Sequence, residues 1–211
     1  EEVAKVIRSD GNVLSINKKN LEDYSSYLGN EIEDITKVMN RQIRIFAVIG
    51  ASFESLILML ASARIKSHHC ICFEDLSSEA ISKRVKIFKP DIVLCRPKLK
   101  QKTHDSLIMS GLLNINIKII DSNNFILKKD YKILNKPKNY KPDDELFTLF
   151  TSGSTGQPKA IVHSALKYYS YAKFSTKYYF GLNKNSVMFT ATDAGWINGH
   201  TYAFYGPLGL G

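Results

Sequence analysis

Leu146-Phe147-Thr148-Leu149-Phe150 runs without a break into Thr151-Ser152-Gly153-Ser154-Thr155-Gly156-Gln157-Pro158-Lys159. The first five residues are apolar or β-favouring and read as a short strand. In the stretch that follows, glycines at 153 and 156 permit positive φ and let backbone N–H groups converge as an anion-binding nest. The hydroxyls of Thr151, Ser152, Ser154 and Thr155 supply further donors, and Lys159 adds a positive charge where a polyphosphate would sit. Pro158 stiffens the exit. Gly/Ser/Thr clusters are common in surface turns, but a strand leading directly into this string points to a phosphate-holding loop. The loop is not of the Walker A kind, because Gly156 is followed by Gln-Pro-Lys rather than Lys-Ser or Lys-Thr. It is not the G-x-G-x-x-G dinucleotide fingerprint either.

Upstream of this loop, short apolar runs alternate with amphipathic stretches. Leu21, Tyr24, Leu28 and Ile32 share one helical face. Ile43–Ile49 is a β-rich run, and Phe53–Ile65 is a helix apolar almost all round, which implies burial on both sides. His69–Phe73 reads as a strand, and Ser77–Phe88 as a helix with Ser77 as N-cap and Pro90 as the stop. Asp91–Cys95 is a strand, Thr103–Leu113 a helix and Ile115–Ile120 a strand. This alternation predicts an α/β fold, a mostly parallel sheet with helices on both faces, joined by right-handed crossovers. The organisation expected is a first α/β subdomain over 1–124, a Lys/Asn/Pro-rich connecting segment over 125–145, and a phosphate-loop and acyl-pocket part of the same large domain over 146–211. Downstream, the aromatics from Tyr168 to Phe180 fall at helical spacing, with Tyr168, Tyr171 and Phe174 or Tyr178 expected along one packed helical side.

The composition excludes several classes. The chain has 211 residues, 44% hydrophobic and 23% charged, which is ordinary for a globular domain. Its net charge of +9 is spread over scattered lysines, densest at Arg96-Pro97-Lys98-Leu99-Lys100-Gln101-Lys102. No basic helix carries an aromatic stacking platform, so no nucleic-acid partner is expected. Cys70, Cys72 and Cys95 are the three cysteines. They sit in apolar runs without a C-x-x-C, which argues for buried free thiols rather than disulfides or zinc. His68 and His69 are adjacent on a strand and face opposite ways, so with Cys70 they do not form a metal site. No stretch approaches the ~20 apolar residues of a membrane span. The expected compartment is the cytoplasm, unless a targeting segment preceded Glu1. Both ends, Glu1-Glu2 and Gly206-Pro207-Leu208-Gly209-Leu210-Gly211, read as cuts in a longer protein. Nothing in the sequence speaks to oligomeric state.

The string from Thr151 to Lys159 resembles the signature of the adenylate-forming superfamily of acyl-CoA synthetases, luciferases and peptide-synthetase adenylation domains. Ile161-Val162-His163-Ser164 and Thr190-Ala191-Thr192-Asp193-Ala194-Gly195-Trp196-Ile197-Asn198-Gly199-His200-Thr201-Tyr202, with Tyr205-Gly206-Pro207-Leu208, are most similar to the acetyl- and propionyl-CoA synthetase branch. Ala63-Arg64-Ile65 and Phe73 to Ile81 match it more loosely. The resemblance implies a two-step reaction. A carboxylate attacks the α-phosphate of ATP, giving an acyl-adenylate and pyrophosphate, and a thiol, usually of coenzyme A, then forms a thioester. It implies ATP phosphate binding by Thr151, Ser152, Gly153, Ser154, Thr155, Gly156 and Lys159. It also implies an acyl pocket at Trp196, Ile197, Asn198, Gly199 and His200, with Trp196 as an apolar wall suited to a small acid. His200 is read equally as a substrate contact or a structural histidine, and His163 as structural.

Departures from the family pattern qualify these expectations. Glu74-Asp75 replace small residues, commonly glycine, in a region that approaches coenzyme A in the family, and two carboxylates there are expected to repel its phosphates. The arginine-bearing loop near 96–102 is shorter here. Asn198 stands where Thr or Val is usual, and Ala160 where glycine follows the loop lysine. The family's magnesium-associated glutamate, ribose-binding aspartate and mobile-domain lysine fall beyond Gly211. The Mg2+ ligand is therefore expected outside this chain, no catalytic residue is assigned within it, and residues 1–211 alone are expected not to form an adenylate. Three alternatives stay open: an amine acceptor, a carrier-thiol acceptor, or a non-catalytic nucleotide-binding module.

Overall fold

The structure, a computed structural model, describes residues 2–7, 11–36, 40–121, 137–152 and 157–211. The glycine-bearing centre of the expected phosphate loop, 153–156, and residues 122–136, which include 125–136 of the expected connecting segment, lie outside the described residues.

Two strands, β1 (Glu2–Ile7) and β2 (Val13–Asn17), pair antiparallel and lead into helix α1 (Lys18–Thr36). Then follow β3 (Arg44–Val48), α2 (Phe53–Ile65), β4 (His68–Cys72), α3 (Ser78–Phe88), β5 (Ile92–Cys95), α4 (Lys100–Ser110) and β6 (Asn116–Ile119). Beyond the undescribed segment come β7 (Glu145–Ser152), β8 (Pro158–Ser164) and α5 (Ala165–Tyr178). The six-stranded sheet has the order β6-β5-β3-β4-β7-β8. Every neighbouring pair is parallel except the last, where β8 returns antiparallel to β7. The expected doubly covered parallel sheet is present.

Side-chain alternation along these strands builds two cores. Ile45, Ala47 and Ile49 with Ile71, Ile92 and Leu94 face α1 and α2. Phe46, Val48, Cys70, Cys72, Val93 and Cys95 face α3 and α4, meeting Ile81, Val85, Phe88 and Leu107. All three cysteines are thereby buried free thiols.

Local signals fix the helix ends. Ser52 and Ser55 form a capping box at the start of α2, and Ser77 caps α3 by accepting from the Ala80 N–H at 3.2 Å. Lys89 takes a left-handed conformation before Pro90 and ends α3. Helix α4 starts at Lys100 rather than Thr103, because Pro97 opens a short 3-10 turn over Pro97–Leu99 that feeds it. It stops at Ser110 because Gly111, at φ 76°, caps it.

Two features differ from the sequence reading. The β1–β2 hairpin has no continuous apolar run, since its strands are half exposed and present only Val3, Ala4, Val6, Leu14 and Ile16 to the core. In α5 only Tyr168 of the expected aromatic packing side is buried. Ala165, Tyr168, Ala172, Ser175 and Thr176 face inward, whereas Tyr171, Phe174 and Tyr178 are exposed. The reason is close approach: Gly206 lies so near α5 that an added Cβ would sit 2.0 Å from Thr176 Oγ1, leaving room only for small side chains.

Candidate active site

The chain leaving β3 turns to α2 on one face of the sheet, whereas the chain leaving β4 and β5 turns to α3 and α4 on the other. Such a divergence opens a crevice beyond the carboxyl ends of parallel strands. A cavity of about 640 Å³ lies there. Gly50–Glu54 enter it from the end of β3, Phe73–Asp75 from β4, and Arg96 and Lys98 from β5. Asp193 and Trp196 close it from the C-terminal part, and Val6, Ile7 and Leu14 of the hairpin cover another side.

One corner of this cavity is a charge cluster centred on Glu74. Its Oε1 accepts from Arg96 Nη1 at 3.0 Å and from the Gly50 N–H at 3.2 Å, and its Oε2 lies 2.6 Å from Lys98 Nζ. Lys102 Nζ donates to the Glu74 carbonyl oxygen at 2.9 Å. Burial pushes the carboxyl pKa up, but Lys98, the Gly50 amide and Arg96 together hold it below the usual range. Of the Glu74-Asp75 pair, Glu74 is thus matched by two cations.

Asp193 sits across Gly50 from Glu74. Its Oδ1 accepts from the Gly195 N–H at 2.7 Å and its Oδ2 from the Ala51 N–H at 3.2 Å, tying the segment that leads into Trp196 to the end of β3. Burial raises its pKa, Glu74 and Asp75 add to the rise, and the two amides oppose it. Neither Asp193 nor Phe73 was assigned a role from sequence. Asp193 two residues before Gly195 is an Asx-turn spacing, which was the available signal.

The expected acyl-pocket residues divide in two. Trp196, Ile197 and Asn198 are exposed, while Gly199 and His200 are buried. Trp196 lies against Phe73, ring centroids 5.3 Å apart, and Phe73 in turn covers Gly195, where an added Cβ would meet its ring at 2.8 Å. Gly199 touches the Asp193 carbonyl so closely that a Cβ would lie 2.3 Å from it. Residues Ile197–His200 form a helical turn (α6), continued by a π-helical turn over Thr201–Tyr205 and a short helix (α7) over Gly206–Leu210.

His200 is not a lining residue of the cavity. Its Nε2 meets His69 Nε2 at 3.2 Å, with the rings nearly parallel at 7°. Its Nδ1 faces the Trp196 carbonyl oxygen at 3.4 Å, and His69 Nδ1 contacts Ser62 Oγ at 3.0 Å. Phe147 of β7 stacks on His200 at 4.2 Å and on His163 at 4.5 Å. Burial drives the His200 pKa down to about 3, with His163 adding and the Trp196 and Ala194 carbonyls opposing. Burial lowers His69 far below its ordinary value, and His200 and His68 add to that. Both rings are therefore neutral, one Nε2 carrying the proton and the other accepting it. His68 turns to the opposite face and meets Thr148 Oγ1 at 2.7 Å. Among the described residues no group of three or more His, Cys, Asp or Glu side chains could hold a metal ion.

The strand carrying the phosphate string is longer than expected. Thr151 and Ser152 belong to β7, and Pro158 and Lys159 open β8, with Thr151 opposite Lys159 and Ser152 opposite Pro158. The segment between them joins two antiparallel strands. Gly153, Ser154, Thr155 and Gly156 themselves lie outside the described residues. Thr151, Ser152 and Lys159 are exposed at the strand ends. Phe147 and Thr151 are four residues apart on β7, roughly 13 Å along the strand. The strand that supports His200 therefore also carries Thr151 and Ser152.

This fold, its crevice and the hydroxyl- and glycine-rich string between β7 and β8 point to a domain of the AMP-binding class. The family described as "AMP-binding enzyme" matches residues 21–211, and the chain belongs to it. Its relatives include an acetyl-coenzyme A synthetase of Herminiimonas arsenicoxydans, 28% identical over 225 residues, covering 96% of this chain and 34% of the relative. Acetyl-coenzyme A synthetase 2 of Saccharomyces cerevisiae is 36% identical over 180 residues, covering 75% of this chain and 26% of the relative. The fold matches a Brucella canis acyl-CoA synthetase with a TM-score of 0.82 at 19% identity, covering 100% of this chain and 39% of that one. It also matches ATP-bound MatB from Rhodopseudomonas palustris with a TM-score of 0.79 at 16% identity, covering 100% of this chain and 41% of that one. The chain spans about a third or less of the length of these curated relatives. No helix among the described residues is long and apolar enough to cross a membrane.

Proposed function

We propose that the complete protein activates a short-chain carboxylic acid, acetate ahead of propionate, with ATP to an acyl-adenylate and pyrophosphate, and then transfers the acyl group to the thiol of coenzyme A. The observation that carries this reading is the string Thr151–Lys159 bridging β7 and β8, in a chain of the AMP-binding enzyme family. On this reading Thr151, Ser152, Gly153, Ser154, Thr155, Gly156 and Lys159 hold the β- and γ-phosphates still. They also spread the charge of the departing pyrophosphate. Trp196, Ile197, Asn198, Gly199 and His200 form the segment beside which the acid sits. Trp196 supplies apolar contact, and His200 acts from beneath by anchoring that segment to His69. The Mg2+ ligand belongs to residues outside this chain. The buried free thiols suit a cytoplasmic setting.

Acid-dependent exchange of labelled pyrophosphate into ATP tests the first step without any acceptor. Exchange with acetate exceeding that with propionate supports the reading, and no exchange with any short acid overturns it in favour of a non-catalytic nucleotide-binding module. Discrimination between the two acids by one methylene is expected to be about tenfold to a hundredfold. Lys159→Ala is expected to lower exchange only partly, because hydroxyls and amides of the loop still contact the phosphates. A second reading, an amine or carrier thiol as acceptor, is favoured by the carboxylates of Glu74 and Asp75 at the cavity.

A further inference from the structure

The Glu74 corner is built as an anion cradle, and the anion in it is part of the chain. A guanidinium, an ammonium and a backbone N–H converge on one carboxylate at 2.6–3.2 Å. That donor set is the one by which proteins hold phosphate groups. The cradle opens on the cavity beside Trp196, and both Arg96 and Lys98 line that cavity. The Glu74 side chain is mostly enclosed, at 14% exposed, whereas that of Lys98 is 63% exposed, so an entering ligand can reach the cations from the solvent side. Lys102 fixes the Glu74 main chain at its carbonyl, which keeps the carboxylate over the cradle.

We propose that Glu74 is a specificity-determining residue, an internal counter-anion that occupies this cradle and disfavours acceptors bearing phosphate there. A phosphate entering the cavity must displace the carboxylate from Arg96 and Lys98 and then lie beside it, with Asp75 and Asp193 close by. A phosphate-free thiol meets no such competition. The inference rests on the acid-activating reading and goes beyond it by naming the residue that sets the choice of acceptor.

The test compares coenzyme A with pantetheine, a phosphate-free thiol of the same arm, in the complete protein charged with acetate and ATP. Glu74→Gln keeps the shape and removes the charge. It is expected to lower KM for coenzyme A relative to KM for pantetheine by about tenfold, the scale of one charge-assisted hydrogen bond. Glu74→Asp, which keeps the charge, is expected to retain the parent ratio. Lys98→Ala in the Glu74→Gln background is expected to abolish the gain, a result that a purely structural Glu74 does not produce. An unmoved ratio in Glu74→Gln, or no use of either thiol, overturns the inference. Pyrophosphate exchange on the same proteins separates the two readings. Exchange with an unmoved ratio sinks the counter-anion alone, and no exchange in the parent protein sinks both.

Discussion

Two polar clusters flank Trp196, and they handle charge in opposite ways. Below it, His69 and His200 are fully buried, stacked on Phe147, and kept neutral by lack of solvent. Beside it, Glu74, Arg96 and Lys98 keep full charges at the edge of an open cavity, where water shares the cost of solvation. In the dry cluster an extra proton has nowhere to be stabilised, so perturbing it should act on the folding equilibrium. The wet cluster is screened, and perturbing it should act on what enters the cavity. The same short segment, Asp193 to His200, supplies His200 to the one and lines the cavity of the other with Asp193 and Trp196.

The largest effect is expected from the floor of the dry cluster. Phe147 is fully buried and stacks against His69, His163 and His200. Phe147→Ala should destabilise by about 3–5 kcal/mol, read as a lower urea midpoint at unchanged slope. A loss below about 1 kcal/mol would mean that the rings do not depend on one another. Gly199→Ala comes next. Its Cβ would lie 2.3 Å from the backbone oxygen of Asp193, which cannot rotate aside as a side chain can. A loss of about 1–3 kcal/mol is expected, of the size seen for overpacking. Full stability in that variant would show that the turn relaxes freely.

Acid should separate the clusters further. The ordinary histidine value is 6.5, and the folded value of His200 is about 3, so between these the unfolded chain binds more protons than the folded one. The contribution of neutral His200 is thus complete above pH 6.5 and is lost progressively as the pH falls from there toward 3. His69 adds in the same direction, and so does His68, whose folded value burial lowers to about 4 against the pull of Glu145. At pH 5.5 neutral His200 alone should cost about 1 kcal/mol relative to pH 7. Urea midpoints measured from pH 8 to 5 check this. A His200→Gln variant should show a shallower slope, and an unchanged slope would remove His200 from the account.

The sheet was legible because its strands are buried on both faces. Ile45–Ile49 and Ile92–Cys95 read as unbroken apolar runs, and Ser52, Ser77 and Gly111 mark helix ends by backbone chemistry that acts locally. The β1–β2 hairpin was not legible, since half-exposed strands leave no continuous run to notice. The packing of α5 was misjudged for a related reason. Helical spacing shows which residues share a face but not what approaches that face, and here Gly206 admits only small side chains. At the site, the phosphate string could be read from composition and order. The pairing of His69 with His200 and of Glu74 with Arg96 could not, because each joins residues distant in sequence through the sheet topology. Adjacent Glu74-Asp75 looked like plain negative charge until the two cations from the end of β5 were seen to meet it.

The smallest expected effect is the stability change in Glu74→Gln, and its smallness matters to the comparison. Removing the charge leaves Arg96 and Lys98 without their partner, which would be costly in a dry interior. Here the Lys98 side chain is 63% exposed and that of Arg96 30%, so water can solvate both cations once the carboxylate is gone. The amide of glutamine still offers an oxygen to the Gly50 N–H and to Arg96. Ion pairs whose cations stay within reach of water contribute little, about 0–1 kcal/mol, so the urea midpoint should barely move while the ratio of thiol KM values shifts. Moderate salt should narrow even that small difference, because these charges lie within reach of counter-ions. A loss near 3 kcal/mol, unaffected by salt, would place Glu74 with the histidines as a structural group, and the contrast between a dry anchor and a wet selector would no longer hold.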